Sequence, residues 1–264
     1  MFGSSLSLKL LSFFAAATAA AAQLQSGILF PLYIYPFETT PCGGWTRVIN
    51  VASAHPNLPF YLVVNPDSGP GLPQTQPNFD YTGCIPQLRN ASPNVHIIGY
   101  VHTNYGSQPV QAVNTNVTTY AGWSAAYRPD GIFFDEAASN AGNVSYFSTL
   151  ASQARATFGS SSPVILNPGT TANADYYPFS TLVITAENFY ANFSPSQLSF
   201  SSSTPASKQA VVLHHGPSTT SASLVNQLIS TDKIGAIFLT DAEYTSTPAD
   251  WENFVSLVEV AASA

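Results

Sequence analysis

Three carboxylates in this chain stand where hydrolytic chemistry could use them: Asp135, Glu136 and Glu187. The first two close the segment Asp130-Gly131-Ile132-Phe133-Phe134-Asp135-Glu136, in which a turn pair precedes three large apolar residues. A short apolar run bounded by turn residues reads as a buried strand. Charged side chains are almost never buried without a partner or a purpose, so two of them at a strand end suggest a site. Cleaving a glycosidic bond takes one carboxylic acid to protonate the leaving oxygen and a second carboxylate to attack or to activate water. Asp135 and Glu187, remote in sequence and each closing an apolar run, suit that pairing. Alternate strand side chains point to opposite faces, so Asp135 and Glu136 are expected to take different roles. The competing assignment is structural, with each carboxylate capping a helix or pairing with a nearby base.

The elements that must position these groups recur along the chain. Strand-like runs occupy Gly27-Tyr35, Pro59-Asn65, Val95-Val101, Gly131-Glu136, Pro163-Asn167, Thr181-Glu187, Gln209-His215 and Gly235-Asp241. Most are continuous rather than alternating apolar stretches, as expected of parallel strands covered on both faces. Helical patterns lie between them at Trp45-Ala54, Val110-Tyr127, Tyr146-Phe158, Leu224-Ile229 and Trp251-Val260. Eight strands alternating with helices predict an α/β fold, a single-domain (β/α)8 TIM-like barrel. A doubly wound open sheet is the alternative, but no Gly-x-Gly-x-x-Gly follows the first run. In such a barrel the active site lies at the carboxyl ends of the strands. Those ends carry Tyr33, Tyr35, Glu38, Asn65, Asp67, Tyr100, His102, Tyr105, Asn167, Asn188, His214, His215, Asp241, Glu243 and Tyr244 beside the three carboxylates. Planar hydrogen-bonding groups and aromatic rings together suit a carbohydrate.

Other chemistries find less support. Only one of His214-His215 can point inward from a strand end, and the first strand offers Leu32-Tyr33-Ile34-Tyr35 where a metal-dependent hydrolase would carry His-x-His. The glycine-rich stretch Asn65-Pro66-Asp67-Ser68-Gly69-Pro70-Gly71 lacks a Gly-Lys-Ser/Thr ending, and its prolines remove amide donors. No Gly-x-Ser-x-Gly elbow is present. Neither a metal nor another cofactor is expected.

Composition places the chain outside the cell. Lys9, the apolar run Leu10 to Ala22 and the small residues Ala20-Ala21-Ala22 read as a signal peptide over residues 1-22, leaving a glycoside hydrolase domain over 23-264. The run is too short and alanine-rich for a convincing membrane span. No membrane insertion is expected after cleavage, a retained anchor being the alternative. Only 7 Lys and Arg in 264 residues, with a formal charge of -7, leave no basic stripe for nucleic acid. Cys42 and Cys84 are expected to form a disulfide in an oxidising compartment. Sequons at Asn90, Asn116, Asn143 and Asn192 predict glycosylation, Asn192 being weakened by the nearby Pro195. A secreted, extracellular or cell-wall-associated monomer is the expectation.

The strand-end motifs resemble those of the spherulin-4 family, fungal and bacterial glycoside hydrolases of family 135. The pieces are Pro31-Leu32-Tyr33-Ile34-Tyr35-Pro36, Val64-Asn65-Pro66-Asp67-Ser68-Gly69-Pro70-Gly71, Gly99-Tyr100-Val101-His102-Thr103-Asn104-Tyr105, Asp130 to Glu136, Leu166-Asn167-Pro168-Gly169 and Glu187. They span nearly the whole mature chain in the family's order. The resemblance implies a (β/α)8 barrel and, for the characterised fungal branch, endo-acting hydrolysis of α-1,4-linked N-acetylgalactosamine. The substrate there is galactosaminogalactan, a secreted cell-wall and biofilm polymer. The family's three acidic positions fall on Asp135, Glu136 and Glu187. The expected mechanism is retaining: Asp135 attacks, Glu187 serves as acid and then base, and Glu136 orients the substrate. Tyr33, Tyr35, Asn65, Tyr100, His102, Tyr105 and Asn167 are the candidate sugar contacts. The rival reading is a non-catalytic wall or spore-coat protein that binds polysaccharide through the same rim. A metal-dependent deacetylase is the third.

Overall fold

The computed structural model describes residues 24–264; the expected signal peptide lies outside the described residues. Eight parallel strands close into one barrel in chain order: β1 (Gly27–Leu32), β2 (Phe60–Val64), β3 (Val95–His102), β4 (Gly131–Asp135), β5 (Val164–Leu166), β6 (Leu182–Phe189), β7 (Gln209–His214) and β8 (Ala236–Leu239). Closure is made by Gly27 and Ile28 of β1 against Ala236 and Ile237 of β8. Nearly every strand residue short of the carboxyl ends is buried. The unbroken apolar runs are therefore covered on both faces, as parallel sheets require.

Helices α1 (Thr46–Ala54), α3 (Val110–Ala121), α4 (Val144–Phe158) and α6 (Trp251–Ala262) follow the expected segments to within a few residues, except that α3 stops short. Its expected extension to Tyr127 ends at Gly122, whose N–H closes the last turn on Thr118, Thr119 and Tyr120. The segment Leu224-Ile229 falls across a short helix, α5 (Ala222–Val225), and a π turn, Asn226–Thr231. Helix α2 (Phe79–Ala91), which buries Tyr81, Cys84, Ile85 and Leu88, is not among the expected segments. Its interior carries Gly83 and Pro86, which lower helix propensity. It is nevertheless started by the Asn78 side chain, which accepts from the N–H groups of Asp80 and Tyr81. The Cys42–Cys84 disulfide, as expected, ties it to the loop after β1. The β5–β6 and β6–β7 connections carry only 3₁₀ turns, where an ideal barrel would place helices.

The outer layer is anchored by large aromatic side chains. Phe30 stacks on Phe238 at 4.3 Å, and both rings meet Trp251 of α6. Each such fully buried side chain contributes about 1.5–3 kcal/mol relative to exposure. Among the described residues no helix is long and apolar enough to cross a membrane. Of the sequons, Asn90 on α2 and Asn192 are exposed, whereas Asn116 on α3 and Asn143 are half-buried. The Asn143 amide nitrogen donates to the Tyr105 carbonyl and packs against Gly106.

Candidate active site

The face that each strand turns to the barrel interior can be read from Gly99. A side chain there would collide with the ring of Tyr120 on α3, 2.9 Å away, so Gly99 faces outward and its neighbours Ile98 and Tyr100 face inward. Register carries this across the sheet. Tyr100 pairs with Phe133 and His102 with Asp135, which brings Asp135 to the inner face at the mouth. Phe133 pairs with Ile165, so Asn167 follows on the same face two residues on.

Glu187 reaches that face only through an irregularity. Leu182 pairs with Ile165 and faces inward, so simple alternation would turn Glu187 outward, together with Val183 and Thr185. A β-bulge between Ile184 and Ala186 sets two residues of β6 against one of β7 and restores Glu187 to the inner face, opposite Val212. Thr185 is turned outward and donates to Gln209 Oε1 at 2.9 Å. Gln209 in turn donates to the carbonyls of Ser199 and Thr204, fixing the long connection beneath.

The inner-face groups form a continuous hydrogen-bonded chain. Asn167 Nδ2 donates to Asp135 Oδ1 at 2.7 Å and to Glu187 Oε2 at 2.6 Å, one N–H for each carboxylate. Tyr100 donates to Asp135 Oδ2 at 2.8 Å, and Tyr244 donates to Glu187 Oε1 at 2.6 Å. All four carboxylate oxygens therefore have a neutral donor. Tyr33 sits between the two phenols, with its ring edge-on to Tyr100 and to Tyr244. Burial, reinforced by the nearby carboxylates, pushes the Tyr33, Tyr100 and Tyr244 hydroxyls far above the ordinary tyrosine range. They remain donors at any physiological pH.

Glu136 behaves differently from an ordinary strand neighbour. The chain leaves β4 with Glu136 in the left-handed region, at φ 48°, so its side chain lines the same hollow as Asp135 rather than the far side of the sheet. Buried Thr103 supports this turn by donating to the carbonyls of both Asp135 and Glu136. Glu136 Oε2 lies 2.7 Å from His102 Nε2. Tyr105, also at positive φ, donates its N–H to the Glu136 carbonyl and leaves its ring 60% exposed over the opening. The resulting hollow of about 280 Å³ is lined by Tyr105, Asp135, Glu136, Asn167, Gly169 and Glu187.

The structure thus gathers Asp135, Glu136, Glu187, Tyr33, Tyr100, His102, Tyr105 and Asn167 at one mouth. Two predicted contacts stand apart. The Tyr35 hydroxyl points away to Asp80 and Asn78 at the start of α2. Asn65 Oδ1 accepts from Gly69 N at 2.8 Å and braces its own loop. Tyr244, which grips Glu187, belongs among the site residues and was visible in the sequence only as one of many polar strand-end residues. His214 and His215 meet Nδ1 to Nδ1 at 2.6 Å, with His215 at φ 54° turned toward Glu243. Burial and the neighbouring ring hold His214 below the usual histidine range. Among the described residues no cluster of three or more His, Cys, Asp or Glu could hold a metal ion.

Fold and site together define a closed eight-stranded parallel barrel with a braced carboxylate pair across its mouth. The model of the spherulation-specific family 4 matches residues 27–258, and the chain belongs to that family. Spherulin-4 of Physarum polycephalum is 29% identical over 222 residues, covering 81% of this chain and 63% of that protein. The chain therefore spans less than two thirds of that relative's length. The crystal structure of Aspergillus clavatus Sph3 in complex with GalNAc is similar at a TM-score of 0.79 and 29% identity, over 89% of this chain and 98% of that one.

Proposed function

We propose that this protein is a secreted glycoside hydrolase that cleaves α-1,4-linked N-acetylgalactosamine within galactosaminogalactan-type polysaccharide, acting internally and with retention. The observation that carries the reading is the Asn167 amide joined at once to Asp135 and Glu187. The two bridged oxygens accept from one nitrogen at 2.7 and 2.6 Å and so lie no more than about 5.3 Å apart. So close a pairing favours direct attack over the wider gap an inverting enzyme leaves for water. The GalNAc complex of Sph3 supports the sugar class.

In an α-linked N-acetylgalactosamine the 2-acetamido group is cis to the leaving oxygen and cannot attack the anomeric carbon from behind. The protein must therefore supply the nucleophile. Asp135 attacks the anomeric carbon as Glu187 passes its proton to the departing oxygen, giving a covalent glycosyl ester. Glu187 then takes a proton from water, which hydrolyses that ester and restores both groups. Tyr100 and Asn167 hold the attacking carboxylate in place. Glu136, held by His102, orients the sugar in the hollow.

The test is incubation of purified protein with galactosaminogalactan, comparing wild type with Asp135→Asn and Glu187→Gln and following soluble oligosaccharides by mass spectrometry. Release by wild type alone is expected, with NMR showing the α anomer formed first. A β anomer would overturn retention. Binding by all three proteins without release would replace the hydrolase with a polysaccharide-binding wall protein.

A further inference from the structure

The exposed large apolar side chains are distributed unevenly over the molecule. Tyr35, Phe37, Leu72, Tyr105 and Phe189 lie at strand carboxyl ends or on the loops that follow them, and Phe79 opens α2 at the end of such a loop, all toward the face that carries the carboxylates. Phe200, beside the start of β7, and Val260, at the far end of α6, are the two others among the described residues. Exposed apolar surface concentrated on one face marks a contact surface, and rings standing in water suit the C–H faces of sugars.

One part of this face is a groove separate from the catalytic hollow. It measures about 410 Å³ and lies between the loops after β1 and β8, lined by Tyr35, Phe37, Glu38, Arg47, Thr245 and Ser246. It adjoins the site through the chain itself. Tyr33 and Tyr244, which meet edge-on beside the carboxylates, are each followed directly by groove residues. Tyr35 and Phe37 are 47% and 46% exposed, and the Tyr35 ring is fixed by its bonds to Asp80 and Asn78. Arg47 is already engaged, gripping both oxygens of Glu252 and donating to the Pro248 carbonyl. Glu38 is exposed, and among the described residues its carboxylate has no ion-pair partner. With the Arg47–Glu252 pair neutral, the groove carries one uncompensated negative charge beside two rings.

We propose that this groove is an outer subsite for a sugar unit bearing a free, protonated amine, with Glu38 taking the ammonium and the rings of Tyr35 and Phe37 taking the ring face. The inference rests on the hydrolase reading above and extends it: acetylated sugar is cut in the hollow, while a deacetylated unit farther along the same chain is held outside it. An ammonium gains from the carboxylate and from the aromatic faces together. Such contacts at an exposed site weaken as salt screens them.

The experiment compares partly deacetylated galactosaminogalactan with the same polymer after complete N-acetylation. It measures KM for product release and, in parallel, co-sedimentation with the insoluble polymer. Wild type should favour the deacetylated polymer about threefold to tenfold in both readouts, and the preference should collapse in high salt. Glu38→Gln should close the gap between the two polymers, and Phe37→Ala should weaken binding of both. Equal KM and equal binding of the two polymers by wild type would overturn the proposal, as would a preference that survives Glu38→Gln. If wild type releases nothing from either polymer, the hydrolase reading fails, and the sedimentation arm still decides the groove.

Discussion

The Tyr244 phenol donates a 2.6 Å hydrogen bond to Oε1 of Glu187, joining the loop after β8 to the end of β6 across the barrel mouth. Hydrogen bonds to charged groups are worth about 1.5–3 kcal/mol, and about 1.4 kcal/mol is tenfold in rate. Tyr244→Phe keeps the ring against Tyr33 and His214 and removes only the donor. On the hydrolase reading, kcat should fall roughly tenfold to a hundredfold with a smaller change in KM. Steady-state kinetics on the soluble polymer check this, and a full wild-type kcat would show that the contact has no part in the chemistry.

Glu136 holds a left-handed backbone conformation that costs a side chain about 1–2 kcal/mol and costs glycine almost nothing. Glu136→Ala and Glu136→Gly both lose the contact with His102, so the difference between them isolates the backbone term. Glycine loses roughly 0.5–1 kcal/mol more backbone entropy on folding, so the glycine variant should melt up to about 2–4 °C above the alanine variant, while both lose activity. A glycine variant that melts below the alanine variant in calorimetry would show that the turn is not strained.

Buried tyrosines, three of them at the site, set an alkaline limit on stability. Burial pushes Tyr81, Tyr176 and Tyr177 up to about 12 and raises Tyr33, Tyr100 and Tyr244 well above the ordinary tyrosine range. The unfolded chain gives up these protons near pH 10 and the folded chain only above it, so between those limits the folded state binds more protons. Their contribution is fully present below pH 10 and is lost as pH rises toward 12 and beyond. Melting temperature should fall steeply above pH 10, and absorbance titration should show these phenols ionising only as the protein unfolds. Ionisation of all 13 tyrosines near pH 10 in folded protein would contradict this.

Much of the fold was legible because it is encoded locally. Continuous apolar runs ending in polar residues announced all eight strands, whose observed ends fall within three residues of the expected ones. Helix α2 went unread although Tyr81, Cys84, Ile85 and Leu88 form a buried i, i+3, i+4, i+7 stripe, because Gly83 and Pro86 interrupt it with residues that disfavour helix. The Asn78 cap and the link to Cys42 offset them. The β5–β6 and β6–β7 connections, where no helical pattern was read, hold none beyond 3₁₀ turns.

The sequence by itself determined which residues stand at the strand ends, and so brought Asp135, Glu136, Glu187, Tyr100 and Asn167 into consideration together. Tertiary structure decided which way they face. Plain alternation would have turned Glu187 outward, and the bulge at Thr185 turns it in; alternation would likewise have parted Glu136 from Asp135, and a left-handed turn braced by Thr103 keeps them together. The roles of Tyr35 and Tyr244 were also exchanged, the first drawn off to α2 and the second brought onto Glu187. The physical reason is common to all four. Period-two alternation is a property of one strand, whereas bulges, positive φ and loop reach are set by register and hydrogen bonds with neighbours distant in sequence.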